Sequence, residues 1–254
     1  MTYNDLNAHP RDSQLEFIPE SHTYLWRGRE MKSVTTLIDG LFRPFDINEA
    51  ALRVALRRGV DPQTVIDEWN ANAEQARSLG TRMHDLIEHY YLGDDSGDST
   101  DAMRLFRSFA LTHRLTPYRT EWRIFHEDYD LAGTLDFLEI TPSGSFIIWD
   151  WKRSCKLIEP DGRIIASSRY GSKGLPPIAH IPDTPYWHYA LQVSVYRFIL
   201  EDRYGLPVSG MKLGVFHPSY EVPWEIDLPY LHSEVTALLR SHIARVPALA
   251  TTIY

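Results

Sequence analysis

The sequence predicts an α/β domain with a mixed central sheet. Apolar residues recur at helical spacing as far as residue 113, and the period turns strand-like from Thr120. Helical and strand-like segments then alternate after a long irregular stretch, which is the order a layered α/β domain requires. With 254 residues, 43% of them hydrophobic, the chain can bury one large core or two modest ones, and length does not choose between them. We read it as one domain over residues 1–254. An N-terminal hairpin and helix occupy 1–60, and the core occupies 61–254 with a basic loop at 153–185.

Each element has a local cause. HTYLWRGREMKSVTTLI predicts a hairpin turning at Arg27-Gly28, then a helix capped by Ser33 or Thr35. ALRVALRRG, from Ala51 to Gly59, predicts a short basic helix. From Pro62 to Tyr91, Val65, Ile66, Trp69, Leu79, Met83, Ile87 and Tyr90 recur near helical spacing, until the acidic turn GDDSGDST stops the helix. A further helix spans about Ala102 to His113. EWRIFHE, LAGTLDFLEI and SFIIWDWK are rich in β-branched and aromatic residues and predict three strands. Arg153 to Pro185 is heavy in Gly and Pro and predicts a loop with one small hairpin at Asp161-Gly162. YWHYALQVSVYRFILEDRYG predicts a helix, KLGVFHP a strand, and LHSEVTALLRSHIARV a closing amphipathic helix.

Bulk properties exclude some classes. No apolar run approaches the roughly 20 residues that cross a bilayer, so no membrane partner is expected. The N-terminus has neither a signal pattern nor a transit pattern, which predicts a soluble, cytoplasmic protein, or one of the host cytoplasm if phage-encoded. The lone Cys155 excludes an intramolecular disulfide and any four-cysteine zinc or iron–sulfur site. The net charge of -8 argues against a protein that coats nucleic acid. Its distribution is uneven, however. Between Trp151 and Leu175 the basic residues Lys152, Arg153, Lys156, Arg163, Arg169 and Lys173 face only Glu159 and Asp161.

The informative place is the hairpin from Leu131 to Lys152. If Thr141 and Ser145 pair around Pro142-Ser143-Gly144, the register sets Asp136 opposite Asp150, with Cβ atoms about 5 Å apart. Leu138 then faces Ile148, and apolar residues also fill the other face, so both strands are central. Two buried carboxylates repel and resist ionisation unless something positive compensates them. A hard divalent cation, Mg²⁺ or Mn²⁺, is an economical answer. Lys152, two residues beyond Asp150, shares its face. The hairpin alone also admits a plain Asp–Lys ion pair with the second Asp bonded to backbone. Two further pairs stand one helical turn apart: His84 with Glu88, and Gln192 with Tyr196.

These residues carry a resemblance. His84 in GTRMHDLIE, Asp136 in AGTLDF, Asp150 and Lys152 in IIWDWK, and Gln192 and Tyr196 in QVSVY stand in the order of the PD-(D/E)XK nuclease superfamily. The chain resembles its RecB-like exonuclease branch, and HTYLWRGREMKSVTTLI is similar to the opening of phage and mitochondrial-maintenance-type members. The resemblance implies a restriction-endonuclease-like mixed central sheet flanked by helices, with an N-terminal hairpin and helical additions. It implies that Asp136, Asp150 and the Trp151 backbone carbonyl hold Mg²⁺ or Mn²⁺, with His84 as a further ligand and Glu121 binding through water. Lys152 would orient or deprotonate the attacking water, and Gln192 and Tyr196 would shape the site. Leu135 stands where the superfamily's name motif has proline, and no iron–sulfur cluster can form.

The implied activity is a DNA exonuclease acting on single strands or ends. Arg53 and Arg57 on the basic helix, and Arg153, Lys156, Arg169 and Lys173 in the loop, would contact phosphate. Aromatic rings near Tyr186–Tyr189 would stack on unpaired bases. No helicase motif is present, so a helicase or recombination partner would be a separate protein. An endonuclease of the same superfamily, and a catalytically silent nucleic-acid-binding or assembly module, are the other readings.

Overall fold

The structure, a computed structural model, describes residues 1–243. A short helix, α1 (Tyr3–Leu6), is closed by a capping box between Thr2 and Asp5. Three strands follow, β1 (Leu15–Ile18), β2 (Thr23–Trp26) and β3 (Arg29–Ser33), paired antiparallel. The β2–β3 turn falls on Arg27 and Gly28, both at positive φ, as a two-residue hairpin demands. The Ser33 side chain accepts from the Thr36 amide and starts α2 (Val34–Asp39).

Next come α3 (Ile47–Arg58) and α4 (Pro62–Leu92), the latter opened by an Asp61 cap with Pro62 in its first turn and closed by Gly93 in the left-handed conformation. Then come α5 (Asp101–Thr112), β4 (Pro117–His126), β5 (Leu131–Ile140) and β6 (Phe146–Lys152). After the long loop, α6 (Pro185–Arg203), β7 (Val208–Val215), β8 (Trp224–Asp227) and α7 (His232–Ile243) complete the described fold.

All eight strands join one mixed sheet in the order β1-β2-β3-β5-β6-β7-β8, with β4 lying along the other edge of β5. The fold is therefore mixed α/β, with the N-terminal hairpin strands continuous with the central sheet and helices on its flanks. One edge of β5 is shared. β3 pairs parallel with Leu131 and Ala132, β6 pairs antiparallel with Phe137 to Ile140, and residues 133–136 have no ladder on that side. The sheet forks there. Both faces of β5 and β6 are buried. Leu138 and Ile148 pack with α2, α6 and α7, while Phe137, Trp149 and Trp151 pack with Met83, Ile87 and the apolar face of α5.

Several boundaries differ from expectation. β4 begins earlier, at Pro117, and β7 spans Val208–Val215, leaving His217 in a loop where its Nδ1 contacts the Ser219 hydroxyl. β1, β8 and α1 have four residues each, too short to impose a period on the sequence. The expected end of the last helix, beyond Ile243, lies outside the described residues.

The helical pair α3–α4 has its own small core of Ala51, Ala55 and Val65, and residues 70–78 of α4 are exposed on every side. The N-terminal half of α4 is thus an arm outside the main cores. No helix among the described residues is long and apolar enough to cross a membrane.

Candidate metal centre

The fork in the sheet positions the site. The β5–β6 ladder runs from Ile140↔Phe146 to Phe137↔Trp149, so Asp136 and Asp150 stand one step beyond its last pair. That is the register the turn predicts, ending where the strands part. Asp136 Oδ2 accepts the Trp151 amide at 2.7 Å, so the side chain satisfies a backbone donor at the opening. On the opposite edge, β4 pairs Thr120 with Phe137 and Trp122 with Leu135, and Glu121 between them is left out of the ladder. Glu121 adopts φ 43°, a conformation costly for a residue with a Cβ. Strain of this kind persists only where the surroundings over-determine it.

The helix α4 brings in His84. Its Nδ1 lies 3.5 Å from Asp136 Oδ2 and 3.6 Å from Glu121 Oε1, and its Nε2 lies 2.9 Å from the Trp151 carbonyl oxygen. One ligand atom each from His84, Glu121 and Asp136 lie within 4.8 Å of one another. Asp150, 2% exposed, points its Oδ2 at Lys152 Nζ, 2.6 Å away. Lys152 Nζ in turn stands 4.6 Å above the centre of the Tyr189 ring. Tyr196 seals the back of the fork, because a Cβ on Gly133 would lie only 2.6 Å from its Cε1. Gln192 Nε2 donates to the Tyr196 hydroxyl at 3.2 Å.

This is, in part, the plain alternative: an Asp–Lys pair beside an aspartate bonded to backbone. The electrostatics of the cluster bears on what it can hold. Burial pushes the Asp136 carboxyl up, and the neighbouring His84 and Lys152 do not offset it. Burial likewise pushes Asp150 up to about 6 despite Lys152, and Asp136 adds repulsion. Burial pulls Lys152 down, but Asp150 and Asp136 outweigh it and hold it raised. For His84 burial also pulls down, and Asp136 with Glu121 wins, raising it to about 9. The carboxylates therefore recruit positive charge from every available side chain and remain destabilised. Asp150 Oδ1 is buried with no hydrogen-bond partner, and Oδ2 meets only Lys152. Oxygen donors under mutual repulsion, one imidazole nitrogen and unsatisfied carboxylate oxygens fit a hard divalent cation. His84, Glu121 and Asp136 would hold it, Asp150 stands outside that group with its Oδ2 on Lys152, and the donor set does not choose between Mg²⁺ and Mn²⁺. The Trp151 carbonyl, expected as a ligand, meets His84 here, and its second lone pair remains for a cation.

The basic residues are dispersed. Arg153 follows Lys152 and lines a cleft of about 370 Å³ with Arg82 and Met83. Arg53, held 3.6 Å from Glu49, and Arg57 project from α3. Lys156, Arg169 and Lys173 are exposed along the loop, and no contact joins them to the centre among the described residues. The aromatic cluster expected to stack on bases is corrected in part. Tyr186 is buried and Trp187 donates its indole N–H to the Ala166 carbonyl, because the loop folds back over α6. Tyr189, under Lys152, is the ring that reaches the site. Its signal was its place one helical turn before Gln192.

No family model matches the chain, and none of the curated proteins does. Among solved structures, the crystal structure of SSO0001 aligns at 15% identity over 84% of this chain and 75% of that one, with a TM-score of 0.32. So low a likeness assigns neither a family nor an activity.

Proposed function

We propose that the chain is a metal-dependent nuclease of the PD-(D/E)XK superfamily, a RecB-like exonuclease hydrolysing phosphodiester bonds in single-stranded DNA or at DNA ends. The observation that carries the reading is the convergence of His84, Glu121, Asp136, Asp150 and Lys152 on one fork in the sheet, from three strands and a helix. A bound Mg²⁺ or Mn²⁺ supplies Lewis acidity, lowering the pKa of water and offsetting phosphate charge. The chain's own residues do the rest. Asp136, on a central strand beside Asp150, would hold that cation where it faces the scissile phosphate. Lys152, kept protonated by the two aspartates, donates hydrogen bonds to the attacking water and to a phosphate oxygen and opposes the developing negative charge. Tyr196 and Gln192 hold the wall behind β5 against water. Arg153 offers a phosphate contact beside the centre. A helicase or recombination partner would present the strand.

The test is degradation of linear, circular and single-stranded DNA with Mg²⁺, Mn²⁺ or EDTA, with Asp150→Asn and Lys152→Ala run alongside. Metal-dependent loss of linear and single-stranded substrate, reduced at least about a hundredfold by either substitution, is expected. Undiminished activity in Asp150→Asn sinks the mechanism. Cleavage of closed circles favours the endonuclease reading, and binding without cleavage favours the silent module.

A further inference from the structure

A second cleft, of about 350 Å³, opens between α2 and α6. Thr35, Ile38 and Asp39 form one wall, and His188, Tyr189 and Gln192 the other, with Asp183 at the rim. It is continuous with the metal centre through two contacts already described: Tyr189 lies beneath Lys152 Nζ, and Gln192 bonds Tyr196. Its size falls in the range of small-molecule sites.

Its lining carries two carboxylates and no Lys or Arg, whereas the first cleft carries Arg82 and Arg153 beside Asp101, with Arg82 paired to Asp98. Asp39 and Asp183 are its acidic residues, and His188 Nε2 is 2.8 Å from Asp183 Oδ1. Carboxylates repel a phosphate, so this cleft suits a neutral part of the substrate. Flat walls are present: the Tyr189 ring, and the His188 imidazole stacked on Phe42 with centroids 3.7 Å apart. Such surfaces take a nucleobase. The Asp39 carboxylate accepts no hydrogen bond and forms no ion pair among the described residues, which leaves it free to receive a donor from a ligand. Among nucleobases, cytosine, adenine and guanine carry an exocyclic amine, and a carboxylate accepts readily from cytosine N4; thymine carries no such group.

We propose that the α2–α6 cleft holds the base of the nucleotide adjoining the scissile phosphate, with Asp39 selecting bases that bear an exocyclic amine over thymine. The proposal rests on the nuclease reading for the position of that phosphate. A strand then runs past Lys152 into the α2–α6 cleft.

The experiment measures binding of fluorescently labelled d(C)8 and d(T)8 by anisotropy in Ca²⁺, and KM for the same oligonucleotides in Mg²⁺. It uses the whole protein, Asp39→Ala and Asp39→Asn, with folding checked by thermal melting. The wild-type protein is expected to favour d(C)8 by about tenfold, a difference one charged hydrogen bond can supply. Asp39→Ala brings the two ligands to parity. Asp39→Asn, whose amide can donate to thymine O4, moves the preference toward d(T)8. No preference in wild type, or an unchanged preference in both folded variants, overturns the assignment of the cleft. A wild-type protein inactive with every metal that still shows an Asp39-dependent preference overturns the hydrolase reading and leaves the cleft's role standing. Active protein with equal KM for both oligonucleotides does the reverse.

Discussion

At the scale of single residues, Glu121 links backbone strain to the site. Its φ of 43° lifts it out of the β4–β5 ladder and turns its carboxylate toward His84. A left-handed residue with a Cβ costs roughly 1–2 kcal/mol, and glycine escapes that cost. Glu121→Gly is therefore expected to be more stable than Glu121→Ala by about 1 kcal/mol in urea unfolding, although both lose the same carboxylate. Equal stability would mean that the conformation carries no strain. A second residue sets the acid limit of the fold. Burial pushes the Glu127 carboxyl up, but a two-pronged contact with Arg11, at 3.2 and 2.5 Å, outweighs it and lowers it to about 2. A folded-state pKa below the unfolded value of 4.5 stabilises the fold above pH 4.5, and that contribution fades as pH falls toward 2. Glu127→Gln should cost about 1–2 kcal/mol near neutral pH, after allowance for its partial exposure. The difference from wild type should close in the most acidic urea titrations; a gap independent of pH would rule out linkage.

At the scale of elements, the packing of α6 on β5 explains the glycine of AGTLDF. Gly133 pairs with Ile124 of β4 but has no ladder on its other edge, and any Cβ there would strike the buried Tyr196 ring. Gly133→Ala is expected to push Tyr196 off the sheet and, through it, Gln192. That should cost about 1–3 kcal/mol of stability and lower the rate of DNA hydrolysis more than the affinity for DNA, as kcat and KM would separate. This element pair also marks how far the sequence is legible. The hairpin register was readable because its turn residues and apolar alternation leave one good alignment, which the ladder follows from Ile140↔Phe146 to Phe137↔Trp149 and which leaves Asp136 and Asp150 one step beyond it. His84, Gln192 and Tyr196 were readable through helical spacing within their own elements. Glu121's departure from the ladder was not, since nothing in EWRIFHE differs from an ordinary strand. Asp39 and His188 meet only because α2 and α6 pack together, a contact between residues far apart in the chain that no local period records. β1 and β8, four residues each, gain their stability from the neighbours they pair with and leave no pattern of their own.

At the scale of the whole molecule, the proposed metal centre ties ion binding to global stability. The carboxylates of the fork are repelled and buried in the native chain, whereas the unfolded chain hydrates and separates them. A cation that binds only the native arrangement adds RT ln(1 + [L]/Kd), about 2.7 kcal/mol at a hundred times Kd. For a chain of 254 residues that corresponds to a rise in Tm of roughly 5–10 °C. Wild-type protein should therefore melt higher in Mn²⁺ or Mg²⁺ than in EDTA, and the gain should grow with metal concentration. Asp136→Asn reverses both parts of the balance. The amide oxygen can still accept from the Trp151 N–H, so the backbone donor stays satisfied, while the repulsion with Asp150 is relieved. In EDTA this variant should melt at or above the wild-type temperature; in saturating metal it should gain little and hydrolyse no DNA. The combination is diagnostic, because a residue needed only to hold the fold would lower the melting temperature in EDTA and leave the metal response intact. An Asp136→Asn protein that melts lower than wild type without metal, and gains as much with it, would make the fork a structural ion-pair cluster.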